Sequence, residues 1–75
     1  MTDQIKLLDV VALTVDLPEY GLSRGQVGTV VEVYTPEDFE VEFSDIHGQT
    51  YAMTSIRANQ LMLLHHEPAN KEPNT

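Results

Sequence analysis

The sequence contains no cysteine and no tryptophan, and its aromatic residues are two phenylalanines and three tyrosines. Without cysteine the chain can form no disulfide, no thiolate nucleophile and no cysteine-based zinc site. The scarcity of aromatic side chains predicts an aliphatic core. It also counts against a groove for proline-rich peptides, because such grooves are lined by aromatic rings.

Basic residues are also scarce. Four Lys and Arg stand against twelve Asp and Glu, which gives a formal net charge of -8. Nucleic acids and anionic membranes are bound largely through Lys and Arg, so we expect neither as a partner. The charge instead favours a basic protein partner, which long-range electrostatic attraction would steer to the surface. The alternative is that the acidity only keeps a small domain soluble.

Long hydrophobic runs are missing as well. No run approaches the roughly 20 residues that span a bilayer, and the first residues lack the features of a signal peptide. We therefore expect a soluble, cytoplasmic protein. A chain of 75 residues allows one domain with a small core. Self-association, as a homo-oligomer, or a partner subunit would bury more apolar surface.

β-branched residues and turn signals divide the chain into short strands. Phe39-Glu40-Val41-Glu42-Phe43 alternates apolar and acidic residues, as a strand with one buried face does. The pattern predicts an all-β fold, a small five-stranded SH3-like barrel over residues 5–64, with a disordered polar tail at 65–75. No helix is visible that would favour an OB-like barrel. The predicted elements are strands at 7–15, 26–34, 39–43, 49–54 and 61–64, a long loop at 16–25, and a 3₁₀ turn within 55–60 capped by Thr54 or Ser55.

Four stretches carry a resemblance to a known family. They are Asp9-Val10-Val11-Ala12-Leu13, residues 16–22 (DLPEYGL), residues 25–34 (GQVGTVVEVY) and residues 39–43 (FEVEF). Over residues 7–64 the chain resembles a family of small bacterial proteins catalogued as a domain of unknown function. The resemblance implies an SH3-like fold and no established activity. Partnership of some members with toxin-like proteins would suit an acidic neutralising subunit.

Three glutamates form the main candidate site. If Val31 and Val33 point inward with the apolar residues of 39–43, Glu32 must lie opposite Glu40 or Glu42 in every such register. Like charges that face each other across a sheet are destabilising. We therefore interpret Glu32, Glu40 and Glu42 as a contact surface for a basic partner. The alternative is a solvated surface relieved by Arg57 or Lys6.

The long loop supplies a second candidate. Tyr20 could line a groove with Tyr34, whereas Leu17 and Leu22 are expected to pack over one end of the barrel. Gly25 and Gly28 have the wrong spacing for a phosphate loop, and we interpret them as a turn with positive φ and a bulge or bend.

No catalytic, cofactor or metal site is predicted. Adjacent histidines such as His65 and His66 diverge in direction, and Ser44, Asp45 and His47 share one tight turn. The leading hypothesis is an acidic protein-interaction module, antitoxin-like or neutralising, that is not an enzyme. The alternative is an accessory or regulatory subunit of an enzyme complex. Nucleic-acid binding ranks third among the hypotheses, and a free-standing enzyme ranks last.

Overall fold

A computed structural model describes residues 4–65 and shows five strands and two 3₁₀ turns. The predicted disordered tail lies outside the described residues, apart from His65. The strands follow the predicted order, with a 3₁₀ turn before the last one. They are β1 (Val10–Leu13), β2 (Val27–Thr35), β3 (Asp38–Ser44), β4 (Thr50–Arg57) and β5 (Leu61–Leu63), and the 3₁₀ turns are η1 (Pro18–Tyr20) and η2 (Ala58–Gln60).

The strands form one antiparallel sheet in the order β4-β3-β2-β1-β5. Tight turns join β2 to β3 and β3 to β4, whereas β1 pairs with β5 from the far end of the chain. The prediction of an all-β, five-stranded fold is confirmed. No ladder joins β4 to β5 among the described residues, and the assignment to the SH3-like class stays a prediction.

The inward-facing side chains of the strands form one aliphatic core with two phenylalanines. On β3 the predicted alternation is confirmed, since Phe39, Val41 and Phe43 are fully buried. These three side chains pack in one cluster with residues from the other strands and the long loop, among them Val11, Leu13, Leu17, Leu22, Val30, Ile56 and Leu61.

The prediction for β2 is wrong at Val31. The register shifts between Val30 and Glu32, so Val31 is the extra residue of a β-bulge. Val30 therefore takes the buried inward position that we had expected Val31 to occupy. Val33 pairs with Phe39 on the inward side, but it remains partly exposed near the end of the strand.

The loop between β1 and β2 folds back on itself. Leu17 and Leu22 form an isolated bridge and are both buried in the core, which confirms that they pack there. Tyr20 lies in η1 between them and is exposed. Gly25 has a φ of 92°, which confirms the expected positive-φ turn.

The reason for Gly28 differs from the one expected. Its φ is not positive; instead β3 passes very close to it. A Cβ at this position would lie 2.7 Å from Val41 Cγ1 and 2.8 Å from the Glu42 carbonyl oxygen. Only a residue without a side chain fits between the strands here.

The fourth strand is longer than predicted. It continues to Arg57, and the 3₁₀ turn starts three residues later than we expected. Neither Thr54 nor Ser55 caps the turn. The Arg57 N–H instead donates to Gln60 Oε1 at 3.1 Å, so a side chain inside the turn satisfies the amide that begins it.

A strained turn precedes β1. The Asp9 N–H donates to the Lys6 carbonyl at 3.0 Å, and the Lys6 N–H donates to Asp9 Oδ2 at 2.7 Å. Leu8, the third residue of the turn, has a φ of 73°. The Leu8 N–H donates to the Val30 carbonyl, and the Val30 N–H donates to the Asp9 carbonyl. Leu8 and Asp9 thus lie opposite a single residue, which makes Leu8 the left-handed residue of a β-bulge, a place where glycine is usual.

Candidate functional site

The three predicted glutamates lie on the outward side of β2 and β3. Glu32 pairs directly with Glu40, and Glu42 is the next outward residue on β3. Glu32 is exposed, and Glu40 and Glu42 are partly exposed. Because the Val30–Glu32 bulge returns Glu32 to the outward side, the predicted opposition of like charges is present. We refer to Glu32, Glu40 and Glu42 together as the acidic face.

Hydroxyl groups hold two of these carboxylates. Tyr34 Oη donates to Glu40 Oε1 at 3.1 Å, and Ser55 Oγ lies 3.2 Å from the same oxygen. The Thr50 hydroxyl donates to Glu42 Oε2. Hydroxyl donors fix the position of a carboxylate without neutralising it, so the acidic face keeps its charge while its side chains are oriented.

The pKa of Tyr34 reflects the same electrostatics. The hydrogen bond to Glu40 raises the pKa of the Tyr34 phenol above its usual value of 10.0, and desolvation together with the charges of Glu40 and Glu32 acts in the same direction. Each of these causes favours the neutral phenol over a phenolate beside two carboxylates. Tyr34 is therefore electrostatically coupled to the acidic face.

The basic residue expected to relieve this surface is engaged elsewhere. Arg57 Nη1 lies 3.4 Å from Asp38 Oδ1, and its Nη2 lies 3.8 Å from Glu37 Oε1. No salt bridge reaches the acidic face from Lys6 or from any other cation within residues 4–65. The alternative of a surface neutralised by Arg57 is not what the structure shows.

Tyr20 is not joined to this site. It lies in the 3₁₀ turn of the β1–β2 loop and is exposed. In the described part of the chain, no hydrogen bond or ring contact connects it to Tyr34 or to the acidic face. The groove between Tyr20 and Tyr34 therefore stays a prediction, whereas Tyr34 itself contacts the glutamates.

Sequence reasoning missed the contribution of β4. Ser55 pairs with Glu40 and Met53 pairs with Glu42, so both lie on the outward side beside the acidic face. Met53 is 56% exposed. The two-residue period of β4 could have placed both residues, but only once the register of the β3–β4 hairpin was known.

The remaining candidate groups shape turns. Asp45 Oδ1 accepts the N–H groups of His47 and Gln49 at 2.9 and 3.0 Å, so its carboxylate closes the β3–β4 turn. Among residues 4–65 no three His, Asp or Glu side chains are placed to hold a metal ion. His66 and Glu67 lie outside the described residues. Within residues 4–65 no helix is long and apolar enough to cross a membrane.

A match to a protein family covers most of this fold. The sequence model of one family, a domain of unknown function called DUF4926, matches residues 7–63, from the turn before β1 to the end of β5. The chain belongs to this family. No curated protein and no solved structure matches the chain. The DUF4926 match includes the acidic face and the residues that support it.

Proposed function

We propose that this DUF4926 protein is a small interaction module that binds a basic protein through the acidic face. The observation that carries the proposal is the direct pairing of Glu32 with Glu40, with no cation in contact with either among the described residues. Such a pair costs stability. A basic side chain from a partner would remove that cost on binding.

The surroundings of the acidic face suit a protein contact. Tyr34 and Met53 are each 56% exposed beside the glutamates. Tyrosine and methionine are enriched in protein interfaces, where they supply apolar contact next to polar groups. Two of the three carboxylates, those of Glu40 and Glu42, are already held by Tyr34, Ser55 and Thr50, which lowers the entropy lost when they engage a partner.

We further propose that the interaction is neutralising and takes place in the cytoplasm. A protein whose own activity needs a basic surface would lose that activity when the acidic face covers it. The net charge of -8 would accelerate the encounter at low ionic strength and make the complex sensitive to salt.

The test is recovery of the tagged protein from its native host, followed by titration calorimetry with the purified partner. We expect a basic partner whose affinity falls as salt rises. The E40K/E42K variant should bind at least tenfold more weakly and with a flatter salt dependence. Unchanged affinity of E40K/E42K would refute the proposal.

A matched control separates local from total charge. The T14K/E19K/I46K variant changes the net charge by the same amount at three exposed positions outside the acidic face and outside the described salt bridges, and it should keep the partner. Thermal unfolding by circular dichroism verifies that both variants fold. Copurification with a large enzyme that is insensitive to salt and to E40K/E42K would support the accessory-subunit alternative.

A further inference from the structure

The β4 strand forms one edge of the sheet, next to the acidic face. It is an outer strand of the sheet, and within residues 4–65 no other strand pairs with its outer side. At eight residues it is much longer than β5, the three-residue strand at the opposite edge. Exposed edges of this length are templates for the addition of another strand.

The ladder fixes which backbone groups are available there. The Ala58 N–H donates to the Glu37 carbonyl at 2.8 Å, so residue 58 bonds toward the β3 side of β4. Along an antiparallel ladder, residues that bond the neighbouring strand alternate with residues that do not. Thr54 and Ile56 therefore also bond to β3, whereas Met53 and Ser55 direct their N–H and C=O groups away from β3, toward the open edge.

The side chains of Met53 and Ser55 lie on the solvent side of the sheet, beside the acidic face. Ser55 is opposite Glu40 and Met53 is opposite Glu42. A strand added to β4 would therefore place alternate side chains on the surface of the acidic face, about 10 Å from Glu40 and Glu42, at two strand spacings. Lysine and arginine side chains are long enough to extend past the small Ser55 side chain toward Glu40.

We propose that the basic partner contributes an extended segment that adds antiparallel to β4, with Lys or Arg at every second position. This inference rests on the proposed function and specifies its binding mode. The backbone bonds would supply affinity that does not depend on sequence, and the alternating basic side chains would supply selectivity. A second copy of this chain fits poorly, because each copy carries a net charge of -8.

The probe is a blocked nine-residue peptide of alternating Lys and Val. In the proposed complex the Lys residues face Met53 and Ser55, so their N–H groups point at β4 and those of Val point away. N-methylation of the Lys amides should weaken binding about tenfold or more, since several hydrogen bonds are lost. N-methylation of the Val amides, at equal charge, should leave binding within about twofold.

Protein variants give an independent measurement. Ser55→Pro removes one outward N–H and leaves the ladder to β3 intact, because proline is tolerated at such edge positions. It should weaken the peptide severalfold relative to Ser55→Ala, which loses the same hydroxyl but keeps the N–H. Slower hydrogen exchange at the Met53 and Ser55 amides on peptide addition would locate the contact.

The outcomes separate the two proposals. Equal binding of both N-methylated peptides, or no binding of the unmodified peptide, would overturn strand addition. If those peptides bind equally but E40K/E42K still loses the native partner, the acidic face is the binding site and the partner uses another geometry. If E40K/E42K has no effect on the native partner, the proposed function itself fails.

Discussion

Leu8 occupies a backbone conformation that glycine normally supplies, yet its side chain is 70% exposed and gains little from burial. The left-handed conformation costs a non-glycine residue about 1–2 kcal/mol. Glycine loses about 0.5–1 kcal/mol more entropy on folding. We therefore expect Leu8→Gly to raise the free energy of unfolding by about 0.5–1 kcal/mol, measured by urea denaturation.

The neighbouring residue is a matched control. Leu7 is also exposed, but its φ is not positive, so Leu7→Gly brings only the entropic cost. It should lower the stability by about 0.5–1 kcal/mol. If both substitutions destabilise the protein equally, the strain at Leu8 is not significant.

Tyr34 should ionise later than a free tyrosine. Its pKa is raised above 10.0 by the hydrogen bond to Glu40, by desolvation and by the nearby charges. A raised folded-state pKa means that the neutral phenol stabilises the fold fully below the unfolded pKa, and that this contribution disappears as the pH rises through the folded pKa. Stability should therefore decline above about pH 10.

Ultraviolet titration of the wild type and Tyr34→Phe identifies this phenol by difference. Glu40→Gln should move the pKa of Tyr34 back toward 10.0, because it removes the charged acceptor. A Tyr34 titration that is the same with and without Glu40 would contradict the coupling.

At the scale of elements, the β2–β3 ladder carries an electrostatic cost at one pair. Glu32 faces Glu40 directly, and such like-charged pairs are unfavourable by a few tenths of a kcal/mol. Glu32→Lys should raise the free energy of unfolding by about 0.5 kcal/mol, because repulsion becomes attraction across the ladder. Chemical denaturation at low ionic strength measures the difference.

The control for this substitution is Glu19→Lys. Glu19 lies in η1, outside every ladder, so the same charge change there should have a smaller effect. The gain at Glu32 should also shrink in high salt, where exposed charges are screened. Equal gains at the two positions would indicate a general charge effect.

The sequence predicted the elements better than their limits. The alternation of residues 39–43 determined which side of β3 is buried, because a two-residue period leaves only one assignment. The bulge at Val31 has no comparable signal: valine suits either side, and the register shift depends on packing between strands. The end of β4 at Arg57 was missed because the Gln60 side chain, rather than Thr54 or Ser55, satisfies the amide that begins the 3₁₀ turn.

The candidate site was predicted in part. The opposition of Glu32 and Glu40 follows from alternation on both strands and is present despite the bulge. The hydrogen bonds from Tyr34 and Ser55 to Glu40 join residues from three strands. They depend on a register that local sequence patterns do not determine. The sequence grouped Tyr20 with Tyr34 by residue type alone.

At the scale of the whole molecule, twelve acidic residues against four Lys and Arg create self-repulsion. Compact states with large net charge are destabilised by this repulsion, and salt screens it. The melting temperature should therefore rise as sodium chloride increases from low ionic strength to about 0.1 M, where the Debye length is about 10 Å.

A charge-balanced variant tests the cause. The combined E19K/E37K/E40K/E42K substitutions bring the formal charge from -8 to neutral, because each reversal adds two positive charges. Its melting temperature should vary little with salt over the same range. A rise as large as that of the wild type would show that salt acts through something other than the net charge.

The pairing of β1 with β5 has a consequence for the folding pathway. The β2–β3–β4 meander joins strands that are close in sequence, whereas Val11 meets Leu63 only when nearly the whole described chain has been brought together. Closing so long a loop is entropically costly, so this pair is expected to form after the rate-limiting step. Conservative substitutions at the β1–β5 seam should then accelerate unfolding and leave the refolding rate nearly unchanged, whereas substitutions in the β2–β3 hairpin should slow refolding.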